Sequence, residues 1–384
     1  MWCSSRYKHH DDQRRERKAR RATLLSAVFA ASALIVFSVS SAPAQSLERI
    51  TADTVVDVDV FGGENVSNQP QVIIDPSIAV RLGDGWRVFV RPWFRQARPP
   101  TPNGPTPAWD IELYEAGVRY ERPGAVAMRV DAGYVASPIG IGIVDWRPSN
   151  NPTIVPHLSY AVPLLPFDPT ATVRPSPVAN SYPLTAMLSL STSHWDARAA
   201  LLNSSPTRAY IVGNSAPNPQ QTPNVVLGGG VTPIAGLRLG MSFAHGVYAT
   251  RDELTTPAAG DRDATIVSGE GEFAFGYTSL RGELLHTTFE TATATAGATE
   301  WFLQGVQILS PRWFGAGRVE HASGPTSTIG ATVRTDLDMV EATAGFRVTP
   351  DVTLRASYYT RRFYAAANWD HQAGASIVWA KRWW

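Results

Sequence analysis

Three arginines, Arg87, Arg91 and Arg95, recur at every fourth residue of the stretch WRVFVRPWFRQAR. In an extended chain they share one face, with consecutive members roughly 13 Å apart. Phe89 and Trp93 stand between them, while Trp86, Val88, Val90, Pro92 and Phe94 fall on the opposite face. A cationic row of this kind can favour anions, as rings of arginine do in anion-conducting pores. Arg119, Arg129, Arg198, Arg238, Arg281, Arg318, Arg347, Arg355 and Arg361 lie in similar alternating stretches and are expected on the same polar side. So are the acids Glu115, Asp131, Asp196, Glu283, Glu320 and Glu341, with Glu270 and Glu272. The competing reading is a solvated wall in which these acids cross-link the arginines and leave no anion path.

Other side chains with chemical potential carry less. His245, His286 and His321 share the apolar side of their stretches with Phe243, Leu284 and Val319. Interfacial placement therefore fits them better than metal coordination. Ser242 and Ser268 could serve a wall enzyme acting on lipid, but a triad needs an accurately placed base and acid, and no local signature marks either serine. Gly228-Gly229-Gly230 lies inside a strand before a turn, where it permits bending or close packing rather than phosphate binding. No cofactor and no metal is expected.

The elements that position these residues are strands. From Thr54 onward, segments of 8–13 residues alternate with period two: 54–61, 71–82, 86–97, 109–121, 126–136, 184–191, 195–204, 223–231, 237–248, 263–275, 279–290, 299–309, 313–321, 337–348, 352–363 and 372–383. None carries a helical period. The stretch 299–309 has no clear apolar face and cannot be oriented. Short turns such as Gly83-Asp84-Gly85 and Ser310-Pro311-Arg312 alternate with long connections at 62–70, 98–108, 137–183, 205–222, 249–262, 291–298, 322–336 and 364–371. The fold class is therefore all-β: a transmembrane antiparallel up-and-down barrel of about 16 strands, short turns at one end and long loops at the other.

Aromatic placement agrees. Trp86, Trp195 and Trp313 each begin a strand after a short turn, and Trp109 and Trp301 begin strands after long loops. With Trp379 and Trp383 they form girdles at two levels, where amphipathic rings are most stable.

The 384-residue chain opens with a basic stretch, Arg14–Arg21, then an apolar run at about 22–39 and Ala42-Pro43-Ala44. These are the parts of a secretory signal peptide, 1–44, which leaves 45–384 as the barrel. Residues 1–44 hold eight of the 34 basic and three of the 33 acidic side chains, so the remainder has a net charge of −4 and offers no nucleic-acid footprint. The single cysteine, Cys3, lies in the leader, so the mature chain has no disulfide and no cysteine-based site.

The leader, the alternating strands and the aromatic carboxyl end Ile377–Trp384 together resemble a bacterial outer-membrane porin. The resemblance implies a Gram-negative outer-membrane location and an aqueous channel, general or anion-preferring, for small hydrophilic solutes. It implies contact with outer-membrane lipid, frequent assembly as a homotrimer, and a third long loop folded into the lumen. That loop is 137–183, 47 residues with ten prolines. Asp145, Arg147, His157, Asp168 and Arg174 are its candidate constriction residues, and its apolar content (Ile154, Leu158, Tyr160, Leu164, Leu165, Phe167) argues against plain disorder. A secreted soluble β-protein is the remaining alternative; a propeller would show a four-strand repeat that this chain lacks.

Overall fold

The computed structural model describes residues 49–63, 66–97, 108–213, 221–255, 260–330 and 332–383. The expected leader, 1–44, lies outside the described residues, as does Trp384. Sixteen strands are present among the described residues: β1 (Ile50–Gly63), β2 (Val66–Arg81), β3 (Trp86–Ala97), β4 (Ala108–Arg122), β5 (Ala127–Tyr134), β6 (Leu184–Ser191), β7 (Trp195–Leu202), β8 (Asn224–Ile234), β9 (Leu237–Ala249), β10 (Arg262–Phe275), β11 (Thr278–Glu290), β12 (Thr295–Ile308), β13 (Trp313–Ser323), β14 (Asp336–Arg347), β15 (Val352–Arg362) and β16 (Asp370–Arg382). Each pairs antiparallel with its neighbours in sequence, and β1 closes on β16, with Asp53 opposite Arg382 and Gly63 opposite Gln372. Closure leaves no unpaired edge, the condition for a sheet in lipid.

Period-two patterning decides which face each residue takes. Val80, Ile78 and Ile74 of β2 lie opposite Val88, Val90 and Phe94 of β3 on the outside, whereas Arg81 faces Arg87 and Ile73 faces Arg95 on the inside. On β8 and β9 the outward side chains Val225, Leu227, Leu239, Met241 and Phe243 are exposed, Met241 to 67%. Exposed apolar surface that continues around a whole wall is rare in water and is what lipid contact requires. No helix among the described residues is long and apolar enough to cross a membrane.

The tight turns use backbone that only glycine adopts cheaply. Gly85 has φ +78°, and a Cβ there would stand 2.4 Å from the carbonyl oxygen of Glu121. One bulge changes the wall: β3 and β4 slip register at Arg91/Pro92, so Tyr114 is the extra residue. It brings Glu112, Tyr114 and Glu115 all to the inner side, and Tyr114 stacks on Trp93 with ring centroids 4.6 Å apart.

Two of the connections read as long are short. β1 and β2 run to Gly63 and from Val66, and β11 and β12 are joined through residues 291–294, where Thr291 N donates to Ala294 O (2.9 Å). Strands extended by mutual pairing absorbed residues that lack a strong local pattern. The unoriented stretch proves to turn Glu300, Phe302 and Gln304 inward and Trp301, Leu303 and Gly305 outward. Its inner face is partly apolar because protein, not water, lies against it.

That protein is the segment between β5 and β6, which folds inside the barrel. Ile139, Ile143, Tyr160, Val178 and Tyr182 pack against inward side chains of β2–β4 and β7–β11, among them Trp93, Leu202, Val226, Ile266 and Leu285. Val155, Leu158 and Leu164 pack against Phe289, Ala298, Leu337, Met339 and Tyr359. Each buried Leu or Ile contributes roughly 1.5–3 kcal/mol. The upper half of the lumen therefore contains an apolar core.

Candidate functional site: the lumen and its inner loop

Below that core the inner wall is ionic. Arg91 lies bidentate on Asp75 (Nε–Oδ1 2.8 Å, Nη2–Oδ2 2.9 Å) and reaches Glu115 at 3.4 Å. Arg87 pairs with Glu121, while at the long-loop end of the same strand Arg95 meets Asp110 (3.5 Å) and Glu112 (3.8 Å). Asp131 receives Arg119 and Arg129, each at 2.6 Å. Arg238 is bidentate on Asp196 (2.8 Å) and shares Glu270 with Arg198. Space for these two arginines comes from β8: a Cβ on Gly228 would stand 2.9 Å from Arg198 Nε, and one on Gly230 2.9 Å from Arg238 Nη2. Gly228 and Gly230 thus cradle guanidinium groups, while a Cβ on Gly229 would stand 2.6 Å from the carbonyl oxygen of Asp196, so the triple glycine permits close packing on both faces.

Other wall residues hold the loop, and they hold its backbone. Arg355 donates to the carbonyls of Pro148 (3.2 Å), Asn151 (2.8 Å) and Thr153 (2.6 Å), and to Asp57 and Ser376. Glu341 accepts from the amides of Ile154 (2.9 Å) and Val155 (3.2 Å), while Arg318 donates to the carbonyl of Val155 (2.5 Å). Glu320 accepts from Ser159 N (2.5 Å), and Glu283 from Ile141 N (2.6 Å) and the Tyr160 hydroxyl (3.0 Å). Charged partners strengthen such bonds and compensate backbone that has left regular structure.

Arg318, Arg355, Glu283, Glu320 and Glu341, read in the sequence as lining water, face inward but lie sealed beneath the loop; the Arg318 and Arg355 side chains are 0% and 2% exposed. Arg347 stands at the short-turn end over Phe314 (5.4 Å). Arg361 pairs with Asp370 near the long-loop end (3.2 Å).

Within the loop, a 3-10 turn (Gly142–Trp146) presents Asp145 to Arg281 and to His157 Nε2 (3.0 Å). Arg147 reaches Asp53 and Asp75 on β1 and β2. Two residues apart, Asp145 and Arg147 are tied to opposite parts of the wall, so this segment crosses the lumen. Asp168 and Arg174 do different work: Asp168 caps Thr170 N (2.8 Å) and lies 3.7 Å from Arg262 of β10, and Arg174 Nε donates to Leu164 O (3.1 Å) within the loop.

Burial would push the Asp145 carboxyl up, but the bonded His157 ring and the Arg281 guanidinium outweigh it and hold it below the usual range. Burial, aided by Arg318, pushes His157 down against the pull of Asp145 and Glu320 (3.8 Å), with Phe302 packed on the ring. A depressed histidine is neutral when docked, so the undocked loop binds the extra proton. Docking is then fully stable above the unperturbed histidine pKa near 6.5 and weakens as pH falls below it. Loss of the Asp145 contribution follows at lower pH still, in the same direction. Proteolytic nicking of the loop in detergent is expected to accelerate between pH 7 and 5, and His157→Gln to flatten that dependence; a pH-independent rate would contradict it.

Outside the lumen, Trp86 rests on Tyr120 (5.0 Å) and Trp313 on Phe346 (4.8 Å), and Trp379 meets Trp383 edge-on (5.7 Å), all toward the short-turn end. Trp109 and Trp195 are exposed at the ends of their strands, and Trp301 lies 6.0 Å from His321. His245, His286 and His321 face outward, each with Nδ1 bonded across the strand to Thr265, Thr299 and Asp338. Ser242 and Ser268 face inward. Strand parity separates the serines from these histidines, so none of the three can serve as their base. Among the described residues no group of three or more His, Cys, Asp or Glu side chains is arranged to hold a metal ion.

No family model matches the sequence, and no curated protein matches it. Solved structures do. OprB of Pseudomonas putida superimposes with a TM-score of 0.58 at 10% identity, covering 88% of this chain and 96% of its own. OmpF of Salmonella typhi, in complex with daunomycin, gives 0.56 at 12%, covering 86% and 97%. The outer-membrane protein OmpT of Vibrio cholerae gives 0.51 at 9%, covering 86% and 97%. The chain has the fold of the bacterial outer-membrane porins.

Within this porin fold, sequence reasoning missed Asp75, Tyr114 and Glu300. Asp75 precedes a proline inside a strand, and Tyr114 depends on the bulge. Glu300 is fully buried with neither carboxylate oxygen hydrogen-bonded, near the buried Glu283 and Glu320. Its stretch showed no face, which was the only available signal. Asp57 and Asp59 were legible as polar alternates of Val56, Val58 and Val60, but nothing marked them as part of a site.

Proposed function

We propose that the chain is an outer-membrane channel for passive diffusion of small hydrophilic solutes, exported by its leader, without a catalytic step or a cofactor. The carrying observation is the inversion of the barrel: apolar side chains outside, and inside an ionic lattice crossed by a loop. A catalytic barrel would need a nucleophile and base on one face, and parity divides the candidates.

A mild anion preference fits the short-turn mouth. A cavity of about 680 Å³ there is lined by Arg81, Arg87, Arg122 and Arg129 against Asp84 and Glu121. Arg87 and Arg129 keep side-chain exposures of 35% and 40%, whereas Arg91 is sealed at 9%. The refolded chain is expected to conduct in planar bilayers, with a reversal potential in a KCl gradient on the anion side. Arg87→Gln with Arg129→Gln moves that potential toward cations. A chain that gives no conductance steps while remaining folded would overturn the channel; an unmoved potential would overturn the role of these arginines.

Assembly as a homotrimer in outer-membrane lipid belongs to the same proposal. It is supported by the likeness to OmpT of Vibrio cholerae in its trimer form, with a TM-score of 0.50 at 9% identity, covering 86% and 99%.

A further inference from the structure

One cavity inside the barrel differs from the mouth just described. It lies between the loop and strands β1–β3, β15 and β16, holds about 510 Å³, and is lined by Asp57, Asp59, Phe61, Trp93, Trp146 and Tyr359 among others. The two aspartates alternate on β1 and are 2% and 5% exposed. Asp57 is neutralised: Arg355 lies 3.2 Å from one oxygen and the Ser376 hydroxyl donates to the other at 2.7 Å. Asp59 Oδ1 is buried and has no hydrogen-bond partner. The other charges bordering the cavity are already matched. Arg95 pairs with Asp110 and Glu112, Arg361 with Asp370, and Asp145 with Arg281 and His157.

A buried carboxyl group with no ion pair of its own is costly to ionise, and a cation in the adjoining space offsets that cost. The rest of the lining says which kind of cation. An inorganic ion needs several free oxygen ligands, and the Asp57 oxygens are occupied. Aromatic faces instead attract an organic ammonium, whose charge spreads over its hydrogens and carbons. Phe61 and Trp146 are the half-buried rings of the lining; Tyr359, edge to face with Phe61 at 5.9 Å, and Trp93 close the wall behind them, each with a guanidinium already over its ring (Arg361 at 5.5 Å, Arg91 at 5.7 Å).

We propose that this cavity is a binding site for small protonated organic amines, with Asp59 taking the ammonium group and the aromatic wall its carbon skeleton. This deepens the channel reading: the site lies beside the loop that crosses the lumen, so an occupant there obstructs ion flow. The site itself would exist even if the barrel did not conduct.

Two readouts separate these statements. Benzylammonium, added to the refolded full chain in planar bilayers, is expected to reduce the KCl current at least tenfold more potently than benzyl alcohol. Asp59→Asn is expected to abolish that difference while conductance in KCl alone is retained. The same ligand should alter tryptophan fluorescence of the detergent-solubilised chain, since Trp93 and Trp146 line the cavity. Phe61→Leu, which keeps the carboxylate, should weaken both responses about threefold and guards against a misfolded Asp59 variant. Equal potency of amine and alcohol, or an undiminished response in a folded Asp59→Asn, overturns the amine site. A chain that does not conduct but shows the Asp59-dependent fluorescence change overturns the channel and keeps the site.

Discussion

Excising Gly140–Val178, with a short glycine linker in its place, is expected to raise single-channel conductance roughly two- to threefold. The ends left behind already face one another, since Ser137 N donates to Ser181 O at 2.9 Å and Val135 N to Pro183 O at 3.3 Å. The barrel should close without the segment because every strand pairs with wall neighbours and none with the loop interior. Conductance should rise because Asp145 and Arg147, tied to β11 and to β1 and β2, leave together with the apolar residues that fill the upper lumen. The excised barrel would also expose Val226, Ile266 and Leu285 to water on its inside, so it should bind hydrophobic dyes that the intact chain excludes. Unchanged conductance in a folded excision variant would mean that the loop does not limit flow.

Arg355→Ala is expected to weaken docking of the loop by about 3–5 kcal/mol, the usual consequence of breaking a buried ion pair from one side. Three loop carbonyls lose their donor, and Asp57 loses its counter-charge with only the Ser376 hydroxyl left. The loss should register as faster hydrogen exchange at residues 148–155, with the exchange of β9 and β10 amides unchanged. Arg87→Ala makes the comparison: its guanidinium is one-third exposed and paired with an equally exposed Glu121, and such pairs contribute about 0–1 kcal/mol. If the two substitutions changed loop exchange equally, the latch would not be where these contacts place it.

Most of the wall was legible in the sequence, because a strand between lipid and water must alternate and the alternation survives in single residues. Val56 to Val60 against Asp57 and Asp59, and Leu239 to Phe243 against Arg238 and Ser242, need no tertiary information. The stretch 299–309 failed for the reason that makes it informative. Phe302 faces inward because His157 of the loop packs on it at 4.2 Å, so the polar-inside rule does not hold where the inside is filled. Which arginines meet water was illegible for a related reason. Arg87 and Arg318 occupy equivalent alternating positions, but one opens on a mouth and the other lies under Val155 and Pro156. Only the path of the loop distinguishes them, and ten prolines without periodicity do not encode a path that can be read locally. The bulge at Tyr114 is marked in the sequence only by Pro92 on the facing strand, a residue that cannot donate to a ladder and is confined to edges and bulges.

Adjacent residues of each strand face opposite solvents, and residues 45–384 contain no cysteine, so this opposition can be measured directly. Single cysteines at Arg87, Arg129 and Glu272, each with a partly exposed inward side chain, are compared in proteoliposomes with cysteines at their neighbours Val88, Val130 and Phe273. A charged, membrane-impermeant maleimide is predicted to label the first three rapidly and to leave the second three unlabelled until detergent is added. Equal labelling within each pair would contradict the account.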